Sequence, residues 1–326
     1  MDVEIATTTA RLEALAPEWA ELWERASNTT PFQHPAWLIP WQRHFADRDA
    51  FVVAVRGDGR LAALLPFVQH RERLALMGGG VSDYQDGVFD ESSAAPALDS
   101  ALKTLSHCRV ARIDLDRLPG FSRWVETKPW TPATEADEVC PVLRLDSQGV
   151  AASIPPHQTA NIRYYHRRAE RLGEVEFACA DASNVDAFLD DLFRLHAAAW
   201  RARGGRGVLA DPAVERFHRA AAPRLLAAGL LRLYRLRVGA TAAAVLYGFA
   251  DRRRTYYYLG GFEPRLRDIS PGALILGHAI ERAIAEGEEA FDFLRGGERY
   301  KYFWGAEDRP TFRRSFRRAR QTEAAA

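Results

Sequence analysis

Cysteine is scarce in this chain: three among 326 residues, Cys108, Cys140 and Cys179, far apart in sequence. That spacing excludes a zinc cluster and a disulfide framework, and an odd, sparse set of thiols fits a reducing compartment. Long hydrophobic runs are missing too. The longest, Leu61 to Val68, falls far short of the roughly 20 apolar residues that cross a bilayer. Neither sign of charge dominates: 44 Lys and Arg stand against 43 Asp and Glu, a net charge of +1. Global electrostatics therefore give no reason to expect a nucleic-acid partner. The opening MDVEIATTTARLEAL has acids where a secretory leader needs bases, and no apolar core follows. The expectation is a cytoplasmic protein. The basic tail Arg313 to Arg320 leaves open a peripheral contact with the inner membrane, or a merely solvated end. Several chemistries lack their motifs: there is no Gly-x-Ser-x-Gly elbow, no Gly-x4-Gly-Lys-Ser/Thr loop and no His/Cys metal set. The triplet Gly78-Gly79-Gly80 lacks the spacing of a dinucleotide fingerprint.

What is present is enough for two domains, with 47% hydrophobic residues to fill their cores. Leu12, Leu15, Trp19, Leu22 and Trp23 recur at helical spacing over Arg11 to Ala26, and Trp37 and Trp41 lie one turn apart in a second helix over His34 to Phe45. Asp58-Gly59 between two apolar runs predicts a hairpin. A short strand, Leu74 to Met77, precedes the glycine triplet. A helix over Ala94 to Ser106 and a strand over Arg112 to Leu115 follow. Gly120 to Cys140, rich in Pro, Thr and acids, reads as surface. A break at Ser147 to Pro156 suggests domains of residues 1–150 and 151–326. Beyond it a basic helix (His157 to Leu172, with Arg163 and Arg167 one turn apart), a strand, two helices (Asn184 to Arg203, Pro212 to Ala228) and a hairpin across Gly239-Ala240 repeat the element order of the first half.

The stretch from Arg254 to Trp304 organises the second half. TYYYLGGF (Thr255 to Phe262) is a β-branched and aromatic strand bounded by glycines. Ser270 at the N-cap, Pro271 at the first helical position and Gly287 as a stop delimit a helix, and Phe291 to Leu294 reads as the next strand. A strand that feeds a helix N-terminus presents free N–H groups and the positive end of a dipole, a setting that suits a pyrophosphate. An ordinary well-capped crossover satisfies the same pattern.

Arg267-Asp268-Ile269-Ser270-Pro271-Gly272 resembles the Arg/Gln-x-x-Gly-x-Gly/Ala loop with which GNAT-type acyltransferases cradle coenzyme A. Arg267 and Gly272 match, and Ser270 replaces the first glycine. The wider set of SPG, FDFLRGGERYKYFWG, PFQHPAWL (Pro31 to Leu38), SDYQD (Ser82 to Asp86) and HAAAW (His196 to Trp200) resembles acyltransferases of the cellulose-biosynthesis (CelD/BcsL) type. More distantly it is similar to Fem-type aminoacyltransferases. The resemblance implies an α/β fold of tandem GNAT-like domains, each a mixed sheet flanked by helices, with the acceptor side first and the acyl-CoA side second. It implies acyl-CoA as donor, no metal, and a small-molecule or lipid amine as acceptor.

Acyl transfer to an amine needs a base, a polarised carbonyl and a proton for the leaving thiolate. The strand at Tyr258 and Leu259 can polarise the carbonyl through backbone N–H groups. The loop Arg267, Ile269, Ser270, Gly272 and Ala273 would hold the donor. His196, sharing a helix face with Leu192 and Trp200, is the first candidate base, its pKa drawn towards neutral; a packed core histidine is the other reading. Asp83, beside Tyr84 in a glycine-flanked loop, is the second, or a turn residue. Tyr300 and Tyr302 are candidate acids, with nothing in their spacing to separate them. Tyr84, Trp200, Arg295, Glu298 and Lys301 could meet the acceptor, or the three charged residues could form with Asp292 a network that holds their own loop. An aminoacyl-tRNA donor with a peptidoglycan precursor, or a non-catalytic subunit of a polysaccharide machine, are the rival readings.

Overall fold

The computed structural model describes residues 1–45, 49–125 and 131–317, the side chains of 131–133 excepted. The chain forms two compact units, residues 1–138 with the segment from Pro310 onward, and residues 139–309. The division thus falls at Glu138 and again at Arg309, so the C-terminal strand belongs to the first unit.

In the first unit β1 (Asp2–Ala6) leads into α1 (Thr9–Arg25) and α2 (Pro35–Phe45). Thr8 caps α1 by accepting the Arg11 N–H at 3.2 Å, and Leu12, Leu15, Trp19, Leu22 and Trp23 are its buried residues, as the periodicity predicts. β2 (Asp49–Gly57) and β3 (Arg60–His70) pair around Asp58 and Gly59. Both have positive φ, 52° and 79°, the signature of a type I′ hairpin. β4 (Arg73–Leu76), β5 (Val88–Phe89), α3 (Ala94–His107) and β6 (Arg112–Pro119) follow. β7 (Thr131–Arg144) begins inside the stretch read as surface: Thr134, Glu135, Ala136 and Glu138 are exposed, so the stretch is surface and also strand. Strand order is β1-β2-β3-β4-β6, with the last strand of the chain beside β6. β4 and β6 run parallel; the other neighbours are antiparallel. Ala97, Ala101 and Leu105 of α3 pack on this sheet with Phe67, Ile113, Leu115, Trp124 and Phe316.

In the second unit α4 (Val150–Ser153) and α5 (Pro156–Glu170) precede β8 (Val175–Cys179), α6 (Val185–Arg201) and α7 (Pro212–Ala227). β9 (Leu231–Val238), β10 (Thr241–Ala250) and β11 (Arg254–Phe262) come next. A 3-10 turn (Pro264–Ile269) then enters α8 (Pro271–Ala285), followed by β12 (Ala290–Asp292) and α9 (Arg299–Tyr302). β13 (Glu307–Arg317), which the sequence reading missed, ends the described chain. Strand order is β7-β12-β11-β10-β9-β8. Here β11 and β12 are parallel and the rest antiparallel. α8 buries Leu276, Ala279, Ile280 and Ala283 in a core with Leu236, Leu246, Phe291 and Trp304. Gly287, at φ 81°, ends the helix where the sequence placed its stop. Both units are therefore α/β, each with parallel and antiparallel strand pairs flanked by helices, where the sequence reading expected a separate mixed sheet for each. Among the described residues no helix is long and apolar enough to cross a membrane.

Candidate active site at the open edge of the second sheet

β11 is an irregular strand. Against β10 its partners run Leu246 with Gly260, Tyr247 with Leu259, then Gly248 with Tyr257. Tyr258 is thereby skipped, the extra residue of a β-bulge. On its other edge β11 pairs with β12 only over Arg254 to Tyr256. From Tyr257 to Phe262 that edge has no strand partner among the described residues, so backbone N–H groups there are available to a ligand. Tyr258 and Leu259, named from the sequence, lie at this break.

The helix after β11 supplies the second part. Ser270 occupies the left-handed region at φ 45°, ψ 59° and makes no side-chain cap. A glycine would adopt that conformation without strain, which explains why a glycine is expected here and why serine is a departure. Ser270 O accepts the N–H groups of Ala273 and Leu274 at 2.9 and 3.2 Å. Pro271 has no N–H to offer, and Gly272 N–H takes no partner among the described residues. A Cβ on Gly272 would lie 3.8 Å from Phe262 Cδ1, so the turn into α8 abuts the end of β11. Ile269 is buried and anchors the loop, whereas the Arg267 side chain is 84% exposed.

α6 brings His196 to the same strand. A Cβ on Gly261 would stand 2.3 Å from His196 N, so helix and strand touch backbone to backbone and no larger residue fits. His196 is 3% exposed, its Nδ1 has no hydrogen-bond partner among the described residues, and its ring lies 6.0 Å from that of Trp200. Gly207, at φ 71°, folds over both; a Cβ there would be 2.3 Å from His196 Cε1 and 2.6 Å from Trp200 Cδ1. Burial, aided by the Arg203 charge, lowers the His196 pKa to about 4. That is well below the near-neutral value expected from sequence, and the ring is neutral and able to accept a proton at pH 7.

The two tyrosines separate. Tyr300 shares a phenol–phenol hydrogen bond with Tyr257, and burial raises both pKa values. Tyr302 donates to Asp308 Oδ1 at 2.7 Å and is committed to that exposed pair. Lys301 is spent locally. Its buried Nζ donates to the carbonyls of Leu294, Arg295 and Gly296 at 3.1, 2.8 and 2.9 Å and pairs with Glu298 at 2.9 Å. That is the loop-holding alternative, and it leaves Lys301 no donor for an acceptor molecule. Arg295 is half-buried beside it.

Two residues were not singled out by sequence. Tyr257 carries the inward phenol, and a Cβ on Gly260 would lie 2.7 Å from its hydroxyl. Arg203 lies over the Phe262 ring at 5.7 Å, and its charge perturbs His196, Tyr257 and Tyr300 together. Tyr257 could have been found only by locating the bulge, and Arg203 carries no motif.

Asp83 and Tyr84 belong to the first unit. Tyr84 is buried, edge-on to Phe32 at 6.4 Å. Their loop is anchored: Trp37 Nε1 donates to Ser82 Oγ at 2.9 Å, Arg117 Nη1 to Ser82 O at 2.7 Å, and Gln85 Nε2 to Met77 O at 2.8 Å. Asp83 itself is half-buried. No group of three or more His, Cys, Asp or Glu residues among those described could hold a metal.

Residues 156–302 match a family model described as an acetyltransferase (GNAT) domain. No curated protein matches the chain in sequence. Solved structures resemble it in fold. FemX matches at TM-score 0.64 and 12% identity, covering 96% of this chain and 97% of that one. The C-terminal domain of a proposed lysylphosphatidylglycerol synthetase from Agrobacterium fabrum matches at 0.62 and 11%, covering 94% and 92%. A conserved protein of unknown function from Bacteroides thetaiotaomicron matches at 0.63 and 10%, covering 97% and 100%. The bulged strand, its open edge and the turn that enters α8 all lie within the stretch that matches the GNAT domain model, residues 156–302, and the likeness to the solved structures is one of fold.

Proposed function

We propose that the protein is an acyl-CoA-dependent N-acyltransferase whose acceptor is an amine of an envelope lipid or exopolysaccharide building block, such as a long-chain sphingoid-type amine. The break in β11 carries the reading. Its free edge can receive the pantetheine and polarise the thioester carbonyl, while the first turn of α8 faces the pyrophosphate. His196 accepts the proton of the attacking amine, which reaches the site as the free base. The Tyr257–Tyr300 pair protonates the departing thiolate; a phenol with a raised pKa keeps its proton at neutral pH. Arg203 favours the negative charge that develops between them. A reaction that draws on acyl-CoA, in a chain whose three cysteines are free, fits the cytoplasm. We carry the cellulose-biosynthesis type as the family within which to look for the acceptor.

The rival donor is an aminoacyl-tRNA. It is favoured by Ser270, which removes the glycine of the coenzyme A loop, and by the likeness in fold to FemX. Titration calorimetry separates the readings. With acyl-CoA, micromolar binding is expected, weakened more than tenfold, about 1.4 kcal/mol, in Gly272→Leu. Binding of charged tRNA without binding of acyl-CoA would transfer the reaction to the second donor. Binding of neither would leave a non-catalytic subunit.

A further inference from the structure

The chain is balanced in charge as a whole, but α5 is not. Pro156 to Leu172 holds four arginines, two histidines and a single acid, Glu170. The helix is two-faced. Gln158, Ile162, Tyr165 and Ala169 turn inward, and Ile162 packs so closely on α8 that a Cβ on Gly277 would be 3.0 Å from its Cδ1. The outward side carries two stripes at i, i+4 spacing: Arg163, Arg167 and Arg171, and beside them Tyr164, Arg168 and Leu172.

Three features set this face apart from an ordinary solvated one. Arg163, Arg167 and Arg171 are exposed and form no ion pair among the described residues, so three cations at i, i+4 spacing share one stripe without a counter-charge. Glu170, the single acid of the segment, lies 3.4 Å from His166 and forms no ion pair with the arginines among the described residues. Two apolar side chains also stand out in solvent: Tyr164 is 48% exposed and Leu172 60%. Arg168 holds Tyr164 from one side, with Nη1 3.2 Å from the phenol oxygen and its guanidinium 5.7 Å from the ring centroid. The 3-10 turn that precedes α8 packs against α5 and adds exposed Arg265 and Arg267.

We propose that the outer face of α5 docks on an anionic phospholipid bilayer. Unpaired arginines meet lipid phosphates in the bidentate way their geometry favours. Tyr164 and Leu172 enter the headgroup layer, where amphipathic rings and isolated aliphatic groups are at home. A nucleic acid would use the same arginines but gains nothing from an exposed leucine, so the bilayer is the better match. The proposal does not depend on the acyl-transfer reading, because its test measures adsorption and not turnover.

The test is flotation of the full chain with vesicles of phosphatidylcholine alone or mixed with phosphatidylglycerol. Binding is expected to the mixed vesicles only and to fade as salt rises. Each arginine near such a surface contributes about a factor of five in partition. The triple variant Arg163→Gln, Arg167→Gln, Arg171→Gln should therefore partition at least about tenfold less. Tyr164→Ser with Leu172→Ser should lose several-fold at unchanged charge. Thermal melts check that both variants are folded, and single Arg→Gln variants serve if the triple one is not. Failure of the wild type to float with anionic vesicles, or full binding by folded triple and double variants, overturns the proposal. Binding of bulk tRNA at the same salt without vesicle binding overturns it in favour of nucleic acid.

Discussion

β4 and β11 occupy matching places in the two units. Each is the fourth strand in its sheet, antiparallel to the third and parallel to the strand that follows the crossover helix. Yet β4 stops after four residues, and the chain beyond it turns through Gly78 to Gly80. It returns as β5, which pairs with Ala63 and Leu64 of β3. Tyr84, Gln85 and Asp86 are buried in this connection, and Asp86 accepts from Gly87 N–H and Ser122 Oγ at 2.8 and 3.0 Å while burial raises its pKa to about 7. β11 instead runs on for nine residues with a bulge and an open edge. One unit fills with its own chain the place where the other leaves backbone groups unpaired. The same architecture thus packs closed in one unit and leaves an open edge in the other, and a shared fold alone assigns no function to either.

The largest effect that would sharpen this contrast concerns His196. His196→Ala should leave acyl-CoA affinity near normal and lower turnover about 10²- to 10⁴-fold. At saturating amine the wild-type kcat should hold on acidification until pH approaches about 4, where the ring protonates, while kcat/KM falls earlier as the free amine protonates; the variant should lack the limb in kcat. The linkage carries the same sign. A histidine held below its ordinary value binds its proton more readily when unfolded, so it costs stability as pH falls from about 6.5 towards 4. An alanine variant with unchanged turnover, measured by thiol release, would make His196 a packing residue and dissolve the distinction between the two edges.

The next effect is on folding. Gly261→Ala places a methyl against the α6 backbone, 2.3 Å from His196 N, whereas a Cβ on Gly79 in the first unit meets nothing within 4 Å. Overpacking costs about 1–3 kcal/mol. Gly261→Ala should lower the midpoint of thermal unfolding by several degrees and Gly79→Ala by less than about 1 °C. Equal shifts in calorimetric melts would mean that the β11–α6 approach is not the tight one described.

Much of this was legible in sequence, for local reasons. TYYYLGGF, Pro271 and Gly287 mark β11 and α8 because side-chain branching, a missing N–H and a left-handed stop act within a few residues. Only the end of β7, from Val142, was legible as a strand, and β13 was not: Pro132, Pro141 and Pro310 interrupt them, charged residues are frequent in both, and their partners are remote in the chain. Lys301 read as a possible substrate ligand because nothing in its neighbours reveals that three carbonyls converge on it. Tyr257 was passed over for a related reason. Strand alternation assigns faces only while the register holds, and the bulge at Tyr258 breaks it.

The smallest effect tests that last point and with it the chemistry of the open edge. Tyr300→Phe removes the phenol that bonds to Tyr257, while Tyr302→Phe breaks only the exposed contact with Asp308. A thiolate with an ordinary pKa near 8.5 is already a fair leaving group, so its protonation contributes less than removal of the amine proton. Tyr300→Phe should therefore lower turnover about tenfold, roughly 1.4 kcal/mol, and Tyr302→Phe should change it less than about twofold. The loss in Tyr300→Phe should grow with pH, because solvent protonates the thiolate less readily as pH rises. The reverse ranking of the two variants would move the acid to the Asp308 pair. An equal, pH-independent loss in both would mean that α9 acts by packing alone, with the open edge of β11 left to polarise the carbonyl without an acid beside it.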